Sequence, residues 1–527
     1  MKSTFLNYYI ARSGIDAARA NLQITGQNMT NASTTGYTRQ RVDLNTVGSS
    51  GYNSLYSLSA EAYMGEGVNI GGISQIRDTY LDVHYRKEVC KVADTETQMD
   101  ALGDLEAIFD ETTADGLQAQ FSDLKSQLET LSANAGDTVT EQSVQTSALM
   151  LVKLFNQYSD QIQQAKDRQI SDFENGSIST VNELLKSISY LNGEIKNSQQ
   201  VGDSALELND ERNSLLDELS NYMNIEVSTK TVTISKGIST EELSVNLIGA
   251  NGEKFMLVDD DNYRKMEALT ESDGTISLHL LNKSGTYAAA SNEYDLTLTD
   301  GDITDQFSTG SFHGYLKMIN DGGEFDSPPT TDRGIQYYSD MLDTLANKFA
   351  EVFNQANSTN TAGAYDKPLF EASDGSGIIT AGNIALSEKW TSSSSSYITS
   401  SKAGVSSTGS TDANNNILAM IDLFKNSINF ETPDHTALLN GSLEDFLTGI
   451  SGTLAMEVES LDRLNVTYTN NVNGIDEQRQ SVSGVSLDEE GINLIMYNQS
   501  LTAASRFMTT IDEAMDTIIN KMGIVGR

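Results

Sequence analysis

Apolar residues recur at alternating steps of three and four at both ends of this 527-residue chain. The first stripe is Tyr8, Ala11, Ile15, Ala18, Leu22, Thr25 and Met29; the second is Leu494, Tyr497, Leu501, Ala504, Met508, Ile511, Met515 and Ile518. Such spacing holds one seam of a helix toward a partner helix. Burying one large apolar side chain contributes roughly 1.5–3 kcal/mol, and fixing one backbone residue costs roughly 1–2 kcal/mol. Two lone helices therefore come out near zero, and the pattern predicts ends that pack together and become fully ordered on neighbouring copies.

Between the ends the period changes several times. After the first helix, Asn31-Ala32-Ser33-Thr34-Thr35-Gly36-Tyr37 reads as a turn with Gly36 at positive φ, and residues 40–80 read as extended. From about Thr95 the period is helical. Three stripes follow: Leu117, Phe121, Leu124, Leu128, Leu131; then Val144, Ala148, Leu151, Phe155, Tyr158, Ile162, Ala165; then Val181, Leu184, Ile188, Leu191, Ile195. They predict long antiparallel helices of a rod-like bundle. Around Ile225 the period falls to two, and runs such as Ile276–Leu280 and Tyr294–Leu298 between Gly, Asp and Asn turns predict a small antiparallel β domain. Helix returns on Ile335, Tyr338, Leu342, Leu345, Phe349 and Val352 after Pro328-Pro329. Residues 358–440, with the serine run at 392–396, read as an exposed irregular or β insertion. A last bundle helix is expected at roughly 442–470 on Leu447, Ile450, Leu454, Leu461 and Leu464.

The fold class is therefore α+β, with a helical core discontinuous in sequence. The expected division is residues 1–36 with 487–527 as a terminal coiled coil, and 37–224 with 310–357 and 441–486 as a helical rod. Residues 225–309 form an inserted β domain and 358–440 a second, Ser/Gly-rich insertion. Candidate interhelical knobs are Ile15, Leu22 and Met29 with Leu494, Leu501, Met508, Ile511 and Met515. Ser486 with Glu489 has the form of a capping box at the start of the last helix.

Composition narrows the partners. Seventy-four acidic residues against 34 basic ones give a formal charge of -40, which repels nucleic acid and anionic membranes. No stretch reaches the ~20 apolar residues that span a bilayer, and no ordinary signal peptide is read at the start. Cys90 is the single cysteine, so no intramolecular disulfide forms. The candidate chemistry is thin. Gly65-x-Gly67 with Gly71 lacks phosphate-loop spacing. Asp259-Asp260-Asp261-Asn262 lacks the glycine and twelfth-position glutamate of a calcium loop and reads as a solvated turn. His84, His279, His313 and His435 show no zinc spacing. No catalytic, metal or cofactor residue is assigned, and the reading is of a structural protein. The sequons at Asn28 and Asn31 fall in the first helix or its cap and imply no glycosylation.

Several segments resemble the axial proteins of the bacterial flagellum. Asn28-Met29-Thr30-Asn31 through Thr35-Gly36-Tyr37 resembles their pattern of paired Asn before Thr-x-Gly-Tyr, and Thr38-Arg39-Gln40-Arg41-Val42 is closer to junction subunits than to the hook. Gly65-Glu66-Gly67-Val68-Asn69-Ile70 with Ile76-Arg77-Asp78-Thr79-Tyr80-Leu81 is similar to the family's strand-then-helix segment. Leu206–Ser220 has a form shared by junction subunits and the filament cap, and Ser483–Glu490 matches at the C-terminal side. Asn213 departs from a usual Asp, and Leu501 from a more typical aromatic. The insertions at 225–309 and 358–440 carry no recognisable signal.

The resemblance implies a structural subunit joining hook to filament, assembled as a homo-oligomer in a tubular array through its terminal helices. It further implies hook protein, a second junction protein, flagellin and an export chaperone as partners. Export through the flagellar type III apparatus would place the chain on the extracellular flagellum. Two alternatives stay open: another axial subunit, hook or filament, and a flagellum-borne adhesin acting through the inserted β regions. The Thr-x-Gly-Tyr turn disfavours flagellin and Leu206–Ser220 disfavours the hook.

Overall fold

A computed structural model describes residues 5–47, 67–109, 116–235, 238–271, 274–281, 301–358, 366–393, 395–401 and 414–521. The chain begins with helix α1 (Phe5–Thr30), followed by the strands β1 (Gln40–Thr46) and β2 (Val68–Gln75). These pair antiparallel from Gln40 with Gln75 to Thr46 with Val68. Helices α2 (Thr79–Phe109), α3 (Leu117–Ala133), α4 (Thr138–Ser171), α5 (Ser179–Gln200) and α6 (Leu206–Leu219) come next. A wider π-helical turn, Asp172–Ile178, joins α4 to α5, and the residues flanking it stay right-handed helical. Residues 138–200 are thus one helix with a contour of roughly 90 Å at 1.5 Å per residue.

Strands β3 (Ile225–Ser235), β4 (Ile238–Ile248), β5 (Lys254–Asp259) and β6 (Asn262–Tyr263) form one sheet in chain order, and β7 (Met266–Thr270) pairs with β8 (Ile276–Leu280). Helices α7 (Ser311–Asn320) and α8 (Ile335–Asn357) follow. The next segment holds β9 (Phe370–Ala372), β10 (Ile384–Leu386), the short α9 (Glu388–Thr391), α10 (Asn415–Asp422), β11 (Ile428–Glu431) and β12 (Ala437–Gly441). Two long helices, α11 (Leu443–Ser483) and α12 (Leu487–Asp516), close the described chain.

The architecture is α+β with two hydrophobic cores. The first gathers the C-terminal half of α2, α3, α4 as far as Ile162, α8, α10 and the start of α11. The second gathers Phe173, α5, α6, α7 and the strands β4, β5, β7 and β8. All three expected bundle stripes are buried residue for residue. The third, on α5, packs on the sheet, because the continuous helix carries it out of the first core and into the second.

Three expectations are revised. Helix begins at Thr79, well before Thr95, as the family resemblance implies; the period misses it because the buried positions of α2 include Asp82, Arg86, Asp94, Thr95 and Gln98. Helix α11 runs to Ser483, beyond the expected 470, since its second half packs on α2 through polar groups such as Asn465 to Thr95 and Asn471 to Glu88. The segment expected as an exposed insertion at 358–440 instead sends Phe370, Trp390, Ile417, Met420, Phe424 and Phe430 into the first core. Glu141, on α4, fixes it by accepting from Trp390 Nε1, Ser396 Oγ and the amides of Tyr397 and Ile398. The expected strand Tyr294–Leu298 lies outside the described residues.

Candidate assembly surface and elbow

Helices α1 and α12 pack along each other, and α1 also carries the β1–β2 hairpin. On α12, Tyr497, Leu501, Ala504, Met508, Ile511 and Met515 are half-buried, while most of the helix around them is exposed. On α1, Ile15, Leu22 and Met29 are half-buried and Ala11, Ala18 and Thr25 buried. The two seams meet closely at Gly14, where an added Cβ would lie 3.7 Å from Ala504 Cβ. The ends of the stripes do not join: Tyr8, Leu494 and Ile518 are exposed.

A second apolar face lies outside the heptad seam. Ile492, Met496 and Phe507 stand at helical spacing on α12 with Ala503 between them, away from the seam, and Ile492 is 67 % and Met496 50 % exposed. Beside them a shallow groove of about 620 Å³ is lined by Leu494, Ile495, Asn498, Gln499, Thr502, Ala503 and Arg506. This face is legible in the sequence as apolar residues at helical spacing over 492–507, off the single heptad seam.

The terminal pair joins the body at an elbow built from the recognised motifs. Asn28 Oδ1 accepts from Tyr37 Oη (2.8 Å) and Gln40 N (3.0 Å), while Asn28 Nδ2 donates to Gln40 O (2.9 Å). The Asn28 side chain thus pairs like a strand and folds the 31–39 turn back onto α1. Gly36 takes the expected left-handed conformation there, with φ 79°. Burial, then the carboxylates of Asp210, Glu207 and Glu490, push the Tyr37 hydroxyl up to about 12, so it stays a donor.

Helix α6 grips this turn from the body. Glu207 Oε1 accepts from Gln27 Nε2 at 2.8 Å, and Asp210 Oδ2 accepts from Thr38 N at 3.0 Å. One turn before its end, Asp217 accepts from Arg86 Nε (2.6 Å) and from Arg479 on α11 (2.7 Å). Arg479 Nε also reaches Asp82 at 3.0 Å, and its guanidinium lies 4.3 Å from the centre of the Tyr85 ring. Asp82 is shared with Arg77. Leu216 and Leu219 anchor the other face of α6 in the second core.

The capping box expected at Ser486 is half-formed. Ser486 accepts from Glu489 N, but the Glu489 carboxylate turns to Arg39 at 2.9 Å, and the buried Glu490 takes Arg39 Nε at 2.8 Å. A complete box sits instead at Ser442 and Asp445, opening α11. Gly484 lies in the break between α11 and α12, where a Cβ would meet Gln480 O at 2.4 Å.

Elsewhere among the described residues, three side chains with candidate chemistry are occupied. Cys90 is buried with Sγ 3.2 Å from Thr309 Oγ1, and burial pushes its thiol up to about 12. His313 Nδ1 lies 2.9 Å from Asp94. Asp260, in the acidic turn between β5 and β6, pairs with Lys196.

Comparison with known proteins gives this geometry its family. Residues 102–370 match the model described as "Flagellar hook-associated protein FlgK helical domain", and 476–521 match "Flagellar basal body rod FlgEFG protein C-terminal". The chain is 28% identical to flagellar hook-associated protein 1 of Bacillus subtilis (strain 168), covering 100% of both chains. It is 24% identical to the protein of that name from Escherichia coli (strain K12), covering 97% of this chain and 98% of that one. The fold is similar to that of the flagellar hook junction protein FlgK from Burkholderia pseudomallei, with TM-score 0.53 and 13% identity over 77% of this chain and 100% of the other. With its helical-domain model spanning more than half of the sequence, the chain belongs to the flagellar hook-associated FlgK family, a family of structural proteins of the bacterial flagellum.

Proposed function

We propose that this chain is the adaptor subunit between hook and filament, polymerising through its terminal helices into a tubular array with the two cores directed outward. The observation that carries the reading is the doubly apolar surface of α12. One seam, Leu501, Met508, Ile511 and Met515, is half-covered by α1 with Ile15, Leu22 and Met29, and the second face, Ile492, Met496 and Phe507, stands exposed among the described residues. A helix pair apolar on two sides reaches its full burial only when neighbouring pairs supply the missing layer. Leu494, exposed at the seam's end, belongs to the same contact.

Hook protein, a second junction protein and flagellin are the partners this role requires. A dedicated chaperone would cover the apolar face of α12 before export through the flagellar type III apparatus to the cell exterior. We assign no enzymatic activity: the one thiol is sealed and held protonated, and the carboxylates of the buried Glu141 and the half-buried Asp217 are committed to holding segments together.

The test is complementation of a strain lacking the endogenous protein with a Met496→Asp, Ile492→Asp double variant. The expected result is a folded, secreted protein and hooks without filaments. Filaments joined normally by that variant would refute the assembly role of this face. Immunogold labelling that places the protein along the hook or filament would favour another axial subunit.

A further inference from the structure

Beside the elbow, a cleft of about 660 Å³ opens between the hairpin strand β2, the first turns of α2, the α5–α6 connection and the sheet face of β3 and β4. Three arginines, Arg77, Arg86 and Arg212, contribute to its lining. Arg77 is paired with Asp82, and Arg86 Nε with Asp217. Arg212 is different. It is 5 % exposed, and its terminal nitrogens donate only to the neutral amides Asn192 Oδ1 (2.9 Å) and Asn209 Oδ1 (2.8 Å). Among the described residues it forms no ion pair. Among the described residues its Nε–H, and one terminal nitrogen of the 7 % exposed Arg86, are buried without a hydrogen-bond partner.

A buried guanidinium whose donors reach only neutral groups is costly, and an unmade donor bond adds to the cost. It is conspicuous in a chain with 74 carboxylates and a net charge of -40, where a pairing acid is statistically at hand. Burial, opposed by Glu241 and reinforced by the like charges of Arg77 and Arg86, pulls Arg212 down to about 10. Of the cleft's acids, Asp82 is engaged by Arg77 and Arg479 and Asp203 by the Ala205 amide, while Glu241 partly offsets the burial of Arg212 from a distance, without an ion pair to it among the described residues. The amino end of α6 also faces this region through Ser204 and Leu206, and its cap position, Ala205, offers no side-chain acceptor to the first amides. A positive helix end and guanidinium donors left without partners favour the same kind of ligand.

We propose that this cleft is an oxyanion site, in which Arg212 and Arg86 receive a phosphate, sulfate or carboxylate group. Guanidiniums suit such ligands because their donors match two oxygens at once. A bound oxyanion would neutralise Arg212 and brace the root of the elbow, where β2, α2 and α6 meet. The ligand is either a free inorganic anion or, on the assembly reading above, a carboxylate of a second copy.

The test uses the full-length chain and inorganic phosphate as probe. At matched ionic strength, phosphate should raise the thermal midpoint of dilute protein saturably above that in chloride, with saturable broadening of the phosphorus resonance. Arg212→Met should lose both responses, and Arg212→Lys should keep weakened ones. If Arg212→Met fails to fold, Arg212→Lys carries the comparison, and a phosphate response in it equal to the wild type's overturns the proposal. A second arm follows self-association by sedimentation. Phosphate that binds dilute protein and weakens association of the wild type more than that of Arg212→Lys assigns the site to a neighbour's carboxylate, whereas binding that leaves association unchanged assigns it to a free anion. No response beyond chloride in either arm, or an equal response in Arg212→Met, overturns the proposal; self-association without any phosphate effect overturns the site and leaves the assembly reading standing.

Discussion

Arg479 and Asp217, 262 positions apart, meet at 2.7 Å and join the end of the last bundle helix to α6. Around them Asp82, Arg77 and Arg86 complete a chain of alternating charge. Each carboxylate has two cationic neighbours, so removing one arginine leaves no acid wholly unpaired. Arg479→Ala should therefore cost about 1–3 kcal/mol, below the full penalty for an orphaned buried charge. The loss should be local. Hydrogen exchange at residues 32–40 and 480–490 should quicken while the amides of α4 and α8 keep their protection; uniform loss across both cores would contradict this view of the elbow.

Asn28 is the hub of the N-terminal turn, and all three of its hydrogen bonds reach Tyr37 or Gln40. Asn28→Ala should cost about 2–3 kcal/mol, one modest net contribution for each bond. Asn28→Asp should fare no better: it keeps the two accepted bonds but loses the donor to Gln40 O and buries a charge. Chemical denaturation followed at the terminal pair checks both variants, and an unchanged Asn28→Ala would show that the turn is held by α6 alone.

How far the sequence revealed this architecture depended on whether burial was apolar. The stripes on α3, α4, α5 and the two ends stand out because Leu, Ile, Phe and Val fill their inward positions. Helix α2 was hidden, as Asp82, Arg86, Asp94 and Gln98 occupy buried positions and cancel its apolar period. The second half of α11 packs on the same polar face and was hidden with it. The role of Leu206–Ser220 was legible only as a resemblance: nothing in its spacing says that Glu207 will meet Gln27, or Asp217 will meet Arg479. The second face of α12 was in plain view, but one seam had already accounted for the helix.

The body should gain stability on mild acidification. Asp340 and Asp343 on α8 are each pushed up to about 6, chiefly by burial, as is Asp321 near the start of that helix. Their folded-state values lie above the unfolded value of 3.8, so the folded chain holds protons that the unfolded chain has released. The stabilisation is complete below the unfolded value, is lost as pH climbs from about 4 through about 6, and is gone above that. Asp340→Asn with Asp343→Asn should flatten this slope and raise stability at pH 7.5 by about 1–2 kcal/mol per site. Trp390, the single tryptophan, lies in the same core and reports the denaturation midpoint at pH 5 and 7.5. Greater stability at pH 7.5 than at pH 5 in both proteins would reverse the sign and refute the assignment.

The two faces of α12 should separate under substitution. Leu501 lies in the half-buried seam shared with α1, so Leu501→Asp places a charge between the helices and should unpair them within the single chain, with little effect on the unfolding of the two cores. Met496 is half exposed on the face away from the seam, so Met496→Asp should leave the hydrogen exchange of the isolated chain nearly unchanged. Both should abolish incorporation into flagella, the first by unfolding the terminal pair and the second by spoiling its outer face. Gly14 supplies a control on the geometry. Its Cβ site, 3.7 Å from Ala504 Cβ, accepts a methyl at ordinary contact distance, so Gly14→Ala should gain roughly 0.5–1 kcal/mol of helix stability. Gly14→Leu should force α1 and α12 apart and behave like Leu501→Asp. Normal assembly by Gly14→Leu would mean that the α1–α12 seam is dispensable, and that neighbouring copies recognise α12 alone.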